Sequence, residues 1–133
     1  MTVVIDSNIF VICLTSKSPW HFIYQQLIKG KFNLAVSNEI IFEYKEIISQ
    51  KYSAATANAF IVLLNELPNV QLINPFYKWQ LINTDPDDNK YCDCAIASQA
   101  EHLVTEDKHF SIVKSISFPR LNILSLEEFA QKL

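Results

Sequence analysis

The feature that most constrains the fold is a regular alternation of short β-rich runs with longer stretches of helical periodicity. Strands are predicted at residues 2–6, 33–36, 70–73, 102–105 and 121–124. Helices are predicted at residues 8–15, 19–29, 38–50, 53–67, 89–100, 107–114 and 126–132. Strands and helices that alternate in this way form a parallel sheet covered by helices on both faces. The sequence therefore predicts an α/β fold, a three-layer sandwich with a central, mostly parallel five-stranded sheet. Its 133 residues fit a single domain over residues 1–133.

The chain contains a single glycine, Gly30, which excludes two large classes of nucleotide-binding enzyme. A Rossmann dinucleotide site or a phosphate-binding loop needs several glycines, so that backbone amides can approach phosphate. The functional site of an open α/β sheet is still expected at the carboxyl ends of its strands. Gly30 is instead predicted to end the second helix, which Ser18 and Pro19 are predicted to begin, and Ser37 is predicted to cap the third.

Three aspartates are predicted to meet at the carboxyl edge of the sheet. Asp6 ends the first apolar strand, where a buried carboxylate needs a partner. A helix over residues 89–99 covers about 16 Å, and a strand over residues 101–106 returns by about the same length. Asp88 and Asp107 should therefore lie level with each other. Acids gathered at strand ends predict a divalent metal site, for which oxygen ligands suit Mg²⁺ or Mn²⁺.

Further acids on the predicted helices bear on this site. Glu43 flanks the apolar stripe of the third helix, and its side chain leans towards the helix N-terminus and the strand edge. Glu39 is explained by its place in a first helical turn, and Glu46 should be solvated. Asp93 lies about 140° around its helix from Asp88. Whether Asp93 reaches the site as an outer ligand stays open.

Structural roles are compatible with several of these positions. Asp88 could cap the helix that starts beside it, and Asp107 could cap the next one, because aspartate is favoured at helix starts. A capping carboxylate still has lone pairs for a metal ion. Asp85 and Asp87 are interpreted as loop acids on either side of Pro86.

Composition and hydropathy favour a cytosolic globular protein. No apolar run approaches the 18 residues of a membrane span, and Asp6 interrupts the N-terminal apolar stretch before it could serve as a signal peptide. The net charge of −3 argues against a broadly basic nucleic-acid surface. The odd number of cysteines predicts buried free thiols. The helix over residues 54–67 carries more apolar residues than one buried face requires, which predicts a homodimer.

Three segments of the chain occur in an order that points to a known family. They are Val3-Val4-Ile5-Asp6-Ser7-Asn8-Ile9-Phe10, Ser37-Asn38-Glu39-Ile40-Ile41-Phe42-Glu43, and Asp85-Pro86-Asp87-Asp88-Asn89 through Leu103-Val104-Thr105-Glu106-Asp107-Lys108-His109-Phe110. Together they resemble the PIN domain, the metal-dependent ribonuclease fold found in the toxins of many bacterial toxin and antitoxin pairs. The segments are spread over most of the chain, so the resemblance implies a compact, single-domain toxin.

The resemblance also implies site residues, a cofactor and partners. The catalytic and metal-binding acids would be Asp6, Glu43, Asp88 and Asp107. Polar support would come from Ser7, Asn8 and Thr105. Some members carry an extra acid on the helix that contains Asp93, which would make that residue a further ligand. The implied cofactor is one or two Mg²⁺ or Mn²⁺ ions, the implied substrate is RNA, and the implied partner is a small antitoxin protein.

Three other classes of protein were weighed against this interpretation. A phosphoacceptor receiver domain requires paired acids after the first strand and a lysine after the fifth. This chain has the single Asp6 after its first strand and Ser125 after its fifth. A haloacid-dehalogenase-type phosphatase needs Asp-x-Asp, where this chain has Asp6-Ser7-Asn8. A catalytically silent PIN-like module that binds RNA or protein remains the alternative.

Overall fold

A computed structural model describes all residues from 1 to 133. Its five strands form one sheet in the order β3-β2-β1-β4-β5. They are β1 (Thr2–Ile5), β2 (Asn33–Val36), β3 (Val70–Leu72), β4 (His102–Val104) and β5 (Ile123–Leu124). All four strand pairings are parallel. The predicted α/β architecture is confirmed, with a sheet that is wholly parallel.

Six α-helices and two 3-10 helices connect or follow these strands. The α-helices are α1 (Ser7–Cys13), α2 (His21–Ile28), α3 (Asn38–Lys51), α4 (Ala54–Glu66), α5 (Asn89–Ala97) and α6 (Leu126–Ala130). The 3-10 helices span Pro86–Asp88 and Lys108–Ser115. None of the helices is long and apolar enough to cross a membrane.

The strand order reverses at β1, and this reversal fixes where a site can form. The chain moves outward from β1 through β2 to β3 and then returns to place β4 on the other side of β1. Because parallel crossovers are right-handed, the helices before and after the return cover opposite faces of the sheet. A crevice opens at the carboxyl ends of the two strands that flank such a reversal. Here those strands are β1 and β4, with Ile5 opposite Val104.

Hydrophobic side chains fill the space on the sheet. The central strands β1, β2 and β4 supply fully buried residues, whereas the edge strands β3 and β5 are more exposed. Phe10 of α1 meets Tyr44 of α3 edge to face at 5.1 Å between ring centroids. Phe60 of α4 lies 5.0 Å from the same Phe10 ring. This aromatic cluster fixes α3, the helix that carries Glu43, against α1.

Most helix boundaries follow local chemistry. The Ser37 side chain accepts a hydrogen bond from the Ile40 amide, as predicted for the start of α3. Gly30 follows α2 with a φ of 74°, a left-handed conformation that glycine adopts without strain. The predicted start of α2 is wrong, because Ser18 accepts from the Trp20 amide in a turn and the helix begins two residues after Pro19.

Two other predicted elements differ from the structure. The strand predicted at residues 121–124 pairs only over Ile123–Leu124, which lie opposite Leu103 and Val104 of β4. The helix predicted at 107–114 is a 3-10 helix over Lys108–Ser115. Both differences lie at the β4 and β5 side of the sheet.

Candidate active site

Asp6 lies at the centre of the crevice. It follows β1 directly, and its side chain is held by Thr105, which follows the neighbouring β4 and donates from Oγ1 to Asp6 Oδ2 at 2.8 Å. The residue is only 4% exposed. Burial raises the pKa of Asp6, the Thr105 hydrogen bond opposes this, and the negative charges of Glu43 and Asp107 raise it further. A buried carboxylate held among other acids favours a bound cation.

Glu43 of α3 approaches Asp6 through Ser7. The Ser7 hydroxyl lies 2.9 Å from Glu43 Oε2 and 3.4 Å from Asp6 Oδ1, so that one hydroxyl joins the two acids. The Tyr91 hydroxyl also donates to Glu43 Oε2. Lys90 Nζ forms an ion pair with Glu43 Oε1 at 2.9 Å. Asp6 and Glu43 are called the inner pair below.

A second group of ligand-type side chains lies at the mouth of the crevice. Asp85, Asp88, Asp107 and His109 each offer one ligand atom, and all these atoms lie within 4.8 Å of one another. His109 Nδ1 is 3.3 Å from Asp107, 3.4 Å from Asp88 and 3.6 Å from Asp85. These four residues are called the acidic cluster.

The acidic cluster adjoins the inner pair. Thr105 Oγ1 donates to Asp6 and accepts from the Asp107 amide at 3.0 Å, so that one side chain positions both aspartates. Burial raises the pKa of Asp88 to about 7, with further contributions from the negative charges of Asp107, Asp85 and Asp6. The two groups therefore form one electrostatically connected site.

The donor set fits a divalent cation. Three carboxylates and one imidazole within a sphere of this size repel one another unless protons or a cation intervene. Carboxylate oxygens suit Mg²⁺ and Mn²⁺, and an imidazole nitrogen is more readily accepted by Mn²⁺ than by Mg²⁺. Asp85, Asp88, Asp107 and His109 could hold such an ion, with Asp6 beside it.

The structure brings the four acids named from the sequence, Asp6, Glu43, Asp88 and Asp107, to one edge of the sheet. It divides them between the inner pair and the acidic cluster. Ser7 and Thr105 support the carboxylates by hydrogen bonds. Asn8 contributes only its backbone N–H to Asp6, and its side chain is exposed.

Asp107 and Asp88 differ in their capping roles. The Asp107 carboxylate accepts from the His109 amide at 2.9 Å and caps the following 3-10 helix. Asp88 precedes α5 but makes no capping hydrogen bond, and its carboxylate lies in the acidic cluster instead. The structural role considered for Asp88 is therefore wrong, whereas the one for Asp107 coexists with the cluster.

Asp93 lies apart from the acidic cluster. Its Oδ1 accepts from the Trp79 amide at 3.0 Å, so this carboxylate anchors the segment between β3 and α5. The residue is 8% exposed, and burial raises its pKa. The position of Asp93 thus matches an anchoring residue rather than an outer ligand. Glu39 and Glu46 are exposed, as predicted.

Sequence reasoning missed four residues of this site. The sequence alone places Asp85 in a loop, offers Lys90 only as one of several lysines that could contact a phosphate backbone, and indicates no role for Tyr91 or His109. One available indication was the spacing of Asp85 and Asp88, because residues three apart lie on one face of a 3-10 turn. Another was His109, which lies two residues beyond a predicted ligand.

An acid-lined crevice at the reversal point of a parallel α/β sheet defines a class of metal-binding domain. Comparison with known proteins gives the family. A model described as the PIN domain matches residues 2–109, and the chain therefore belongs to the PIN domain family. Members of this family are nucleases that use divalent metals.

A solved structure has the same fold at low sequence identity. It is the crystal structure of VapBC2 from Rickettsia felis bound to a DNA fragment from their promoter. One of its chains aligns with a TM-score of 0.65 and 18% identity, covering 94% of this chain and 98% of that one. No sequence among curated proteins matches significantly.

Proposed function

We propose that the protein is a metal-dependent endoribonuclease and the toxin component of a toxin-antitoxin pair. The observation that carries this proposal is the convergence of the inner pair and the acidic cluster at the crevice of a PIN domain. The fold shared with a VapBC2 chain supports the toxin role. The substrate would be single-stranded or looped RNA, whose backbone can bend into a small crevice.

One or two Mg²⁺ or Mn²⁺ ions would be held by Asp6, Asp88 and Asp107, with His109 at the open side. A bound ion supplies a water of lowered pKa and offsets charge on the leaving oxygen. Thr105 keeps Asp6 and Asp107 in fixed relative positions. These residues would orient the scissile phosphodiester and the attacking water.

Glu43 would act beside the ion, as a group that orients water or accepts its proton. Its carboxylate is fixed from three directions by Ser7, Tyr91 and Lys90. Lys90 also donates to the Asp87 carbonyl at 2.8 Å, so its ammonium group is held in place while it offsets the charge of Glu43. Such fixed polar groups lower the cost of reorganisation during reaction.

Two protein partners belong to this proposal. A small antitoxin would bind the toxin and block the crevice. A second copy of the chain would cover α4, which buries only Ala57, Phe60 and Leu64 and leaves Val62 55% exposed. Exposed apolar surface on a small domain is typical of an interface.

The test is cleavage of single-stranded RNA by purified protein with Mg²⁺, Mn²⁺ or EDTA. Cleavage should require metal, and Asp6→Asn, Asp88→Asn and Asp107→Asn should each lose at least about tenfold in rate, because loss of a metal ligand weakens both ion binding and activity. Glu46→Gln is the matched control, since its side chain is exposed and belongs to neither the inner pair nor the acidic cluster. Cleavage that persists in EDTA, or that survives in Asp6→Asn, would favour the catalytically silent binding module.

A further inference from the structure

A polar cleft of about 640 Å³ lies beside the acidic cluster. Its walls are the start of α3, the segment over residues 74–83, and the segment that runs from Pro86 to Asp93. The volume falls within the range of about 300–1,000 Å³ that is usual for ligand sites. Ile82 and two prolines apart, the lining side chains are polar. Such a lining suits a ligand that forms hydrogen bonds.

Side-chain amides dominate the polar lining. Asn38, Asn74, Gln80 and Asn83 all line the cleft and are exposed. Asn74 Oδ1 accepts from the backbone amide of Asn38 at 3.2 Å, and the Nδ2 group of Asn74 stays available as a donor. Each carboxamide offers both donors and an acceptor, as does the edge of a nucleobase. The lining is therefore complementary to a base.

The charges of the cleft favour a neutral ligand group over a phosphate. Lys78 and Lys90 are its cations, and Glu39, Asp87 and Asp93 are its anions. Lys90 is already paired with Glu43 and Asp87. The cleft thus has no excess positive charge to attract a phosphate.

Two exposed aromatic residues belong to the chain segment that forms one wall of this cleft. Phe76 is 104% exposed and Tyr77 is 65% exposed, and both lie between the lining residues Pro75 and Lys78. Trp79 supports Tyr77, with ring centroids 4.7 Å apart. Exposed aromatic rings next to hydrogen-bonding groups are typical of sites that stack unpaired bases.

The wall that carries these rings is fixed to α5. The Asn89 carboxamide bonds both the amide and the carbonyl of Ile82, at 2.8 and 3.0 Å. Asp93 holds the Trp79 amide from the same helix. Ordering this segment in advance reduces the entropy cost of binding.

The cleft and the acidic cluster share one short segment. Asp87 lines the cleft, and its neighbours Asp85 and Asp88 belong to the cluster. We propose that the cleft, together with the exposed rings of Phe76 and Tyr77 in its wall segment, holds one unpaired base of the RNA substrate next to the phosphate to be cut. This inference rests on the proposed ribonuclease function and adds to it the means of choosing a cleavage site.

The experiment combines protein variants with a modified RNA. The substrate is a single-stranded RNA with one mapped cleavage site, made intact and with a single abasic nucleotide at each position that flanks that site. The proteins are wild type, the double variant Phe76→Ala with Tyr77→Ala, and Asn83→Ala. Phe22→Ala on α2 is the control for loss of an exposed aromatic ring, and Asn65→Ala on α4 is the control for loss of a side-chain amide. Neither residue lines the cleft. Melting curves confirm that each protein is folded.

One abasic position should lower wild-type kcat/KM by about tenfold, mostly through KM, because stacking of a single base is worth about that much. The double variant should cut intact RNA about tenfold more slowly, and the abasic change should then cost it little further. Asn83→Ala should alter the preferred base at that position. Equal abasic losses in wild type and the double variant, or normal cleavage by the double variant, would overturn the cleft as a base site. An absence of metal-dependent cleavage by the wild type would instead overturn the proposed function.

Discussion

Replacement of Asp88 by asparagine should make the metal-free protein more stable. Burial and the charges of Asp107 and Asp85 raise the pKa of Asp88 from 3.8 to about 7. The folded state therefore holds a proton that the unfolded state releases above about pH 4. Stability contributed by this group is lost as the pH rises from about 4 to about 7, and the penalty stays constant above that range. Asparagine carries no charge and removes the penalty.

The expected size of the effect follows from the same pKa. A change from 3.8 to about 7 corresponds to a penalty of about 4 kcal/mol. Solvent at the open mouth of the crevice screens these charges and reduces the realised value to about 1–2 kcal/mol. For a chain of this length that is a rise of about 3–8 °C in Tm at pH 8.

The assay is thermal unfolding in EDTA at pH 8 and at pH 5.5, where the difference should shrink. Asp87→Asn is the matched control, because the adjacent Asp87 side chain is 84% exposed and should change stability by less than about 0.5 kcal/mol. Added Mn²⁺ should reverse the order, since binding to the native state stabilises only the protein that keeps its ligands. An Asp88→Asn protein that melts at or below the wild type in EDTA at pH 8 would refute this reasoning.

Three further outcomes are expected. In scanning calorimetry, Mn²⁺ should raise the Tm of the wild type by several degrees and the Tm of Asp6→Asn by less. The same Tm for both proteins, with and without Mn²⁺, would contradict the metal site. Asp93→Asn should cut RNA at close to the wild-type rate, because asparagine keeps the Oδ1 that accepts from the Trp79 amide, and a dead but folded enzyme would contradict a purely anchoring role. Val62→Lys should convert a dimer into a monomer in light scattering, and a wild type that is already monomeric at high micromolar concentration would remove the dimer.

The layers of the fold and the convergence of the acids could be predicted because they follow from periodicity and from the geometry of parallel strands. Asp6 follows β1 directly and Asp107 lies three residues beyond the end of β4, so both positions depend mainly on where a buried strand ends. The position of Asp88 could be predicted from the near-equal lengths of the helix over residues 89–99 and the strand over residues 101–106. These are local properties that a sequence records.

The remaining features depend on contacts between distant parts of the chain. Glu43 meets Tyr91 across 48 positions of sequence, and nothing near either residue indicates the other. From the sequence, a ligand role for Asp93 stays open because some members of the family carry an extra acid on this helix; in the structure its carboxylate accepts from the Trp79 amide. In the sequence, His109 is one of three histidines far apart along the chain. In the structure, the 3-10 helix after β4 brings its ring close to Asp88.

Residues 88–93, at the start of α5, contact three different parts of the protein. Asp88 faces the cluster, Lys90 and Tyr91 hold Glu43, and Asp93 holds the segment after β3. Insertion or deletion of one residue here would rotate the helix by about 100° and break these contacts together. The segment over residues 74–78 is held at fewer points, through Asn74 to the backbone of Asn38 and through Tyr77 to Trp79. Under the proposed function, substitutions in this segment would change which RNA sites are recognised while the acidic cluster keeps its geometry.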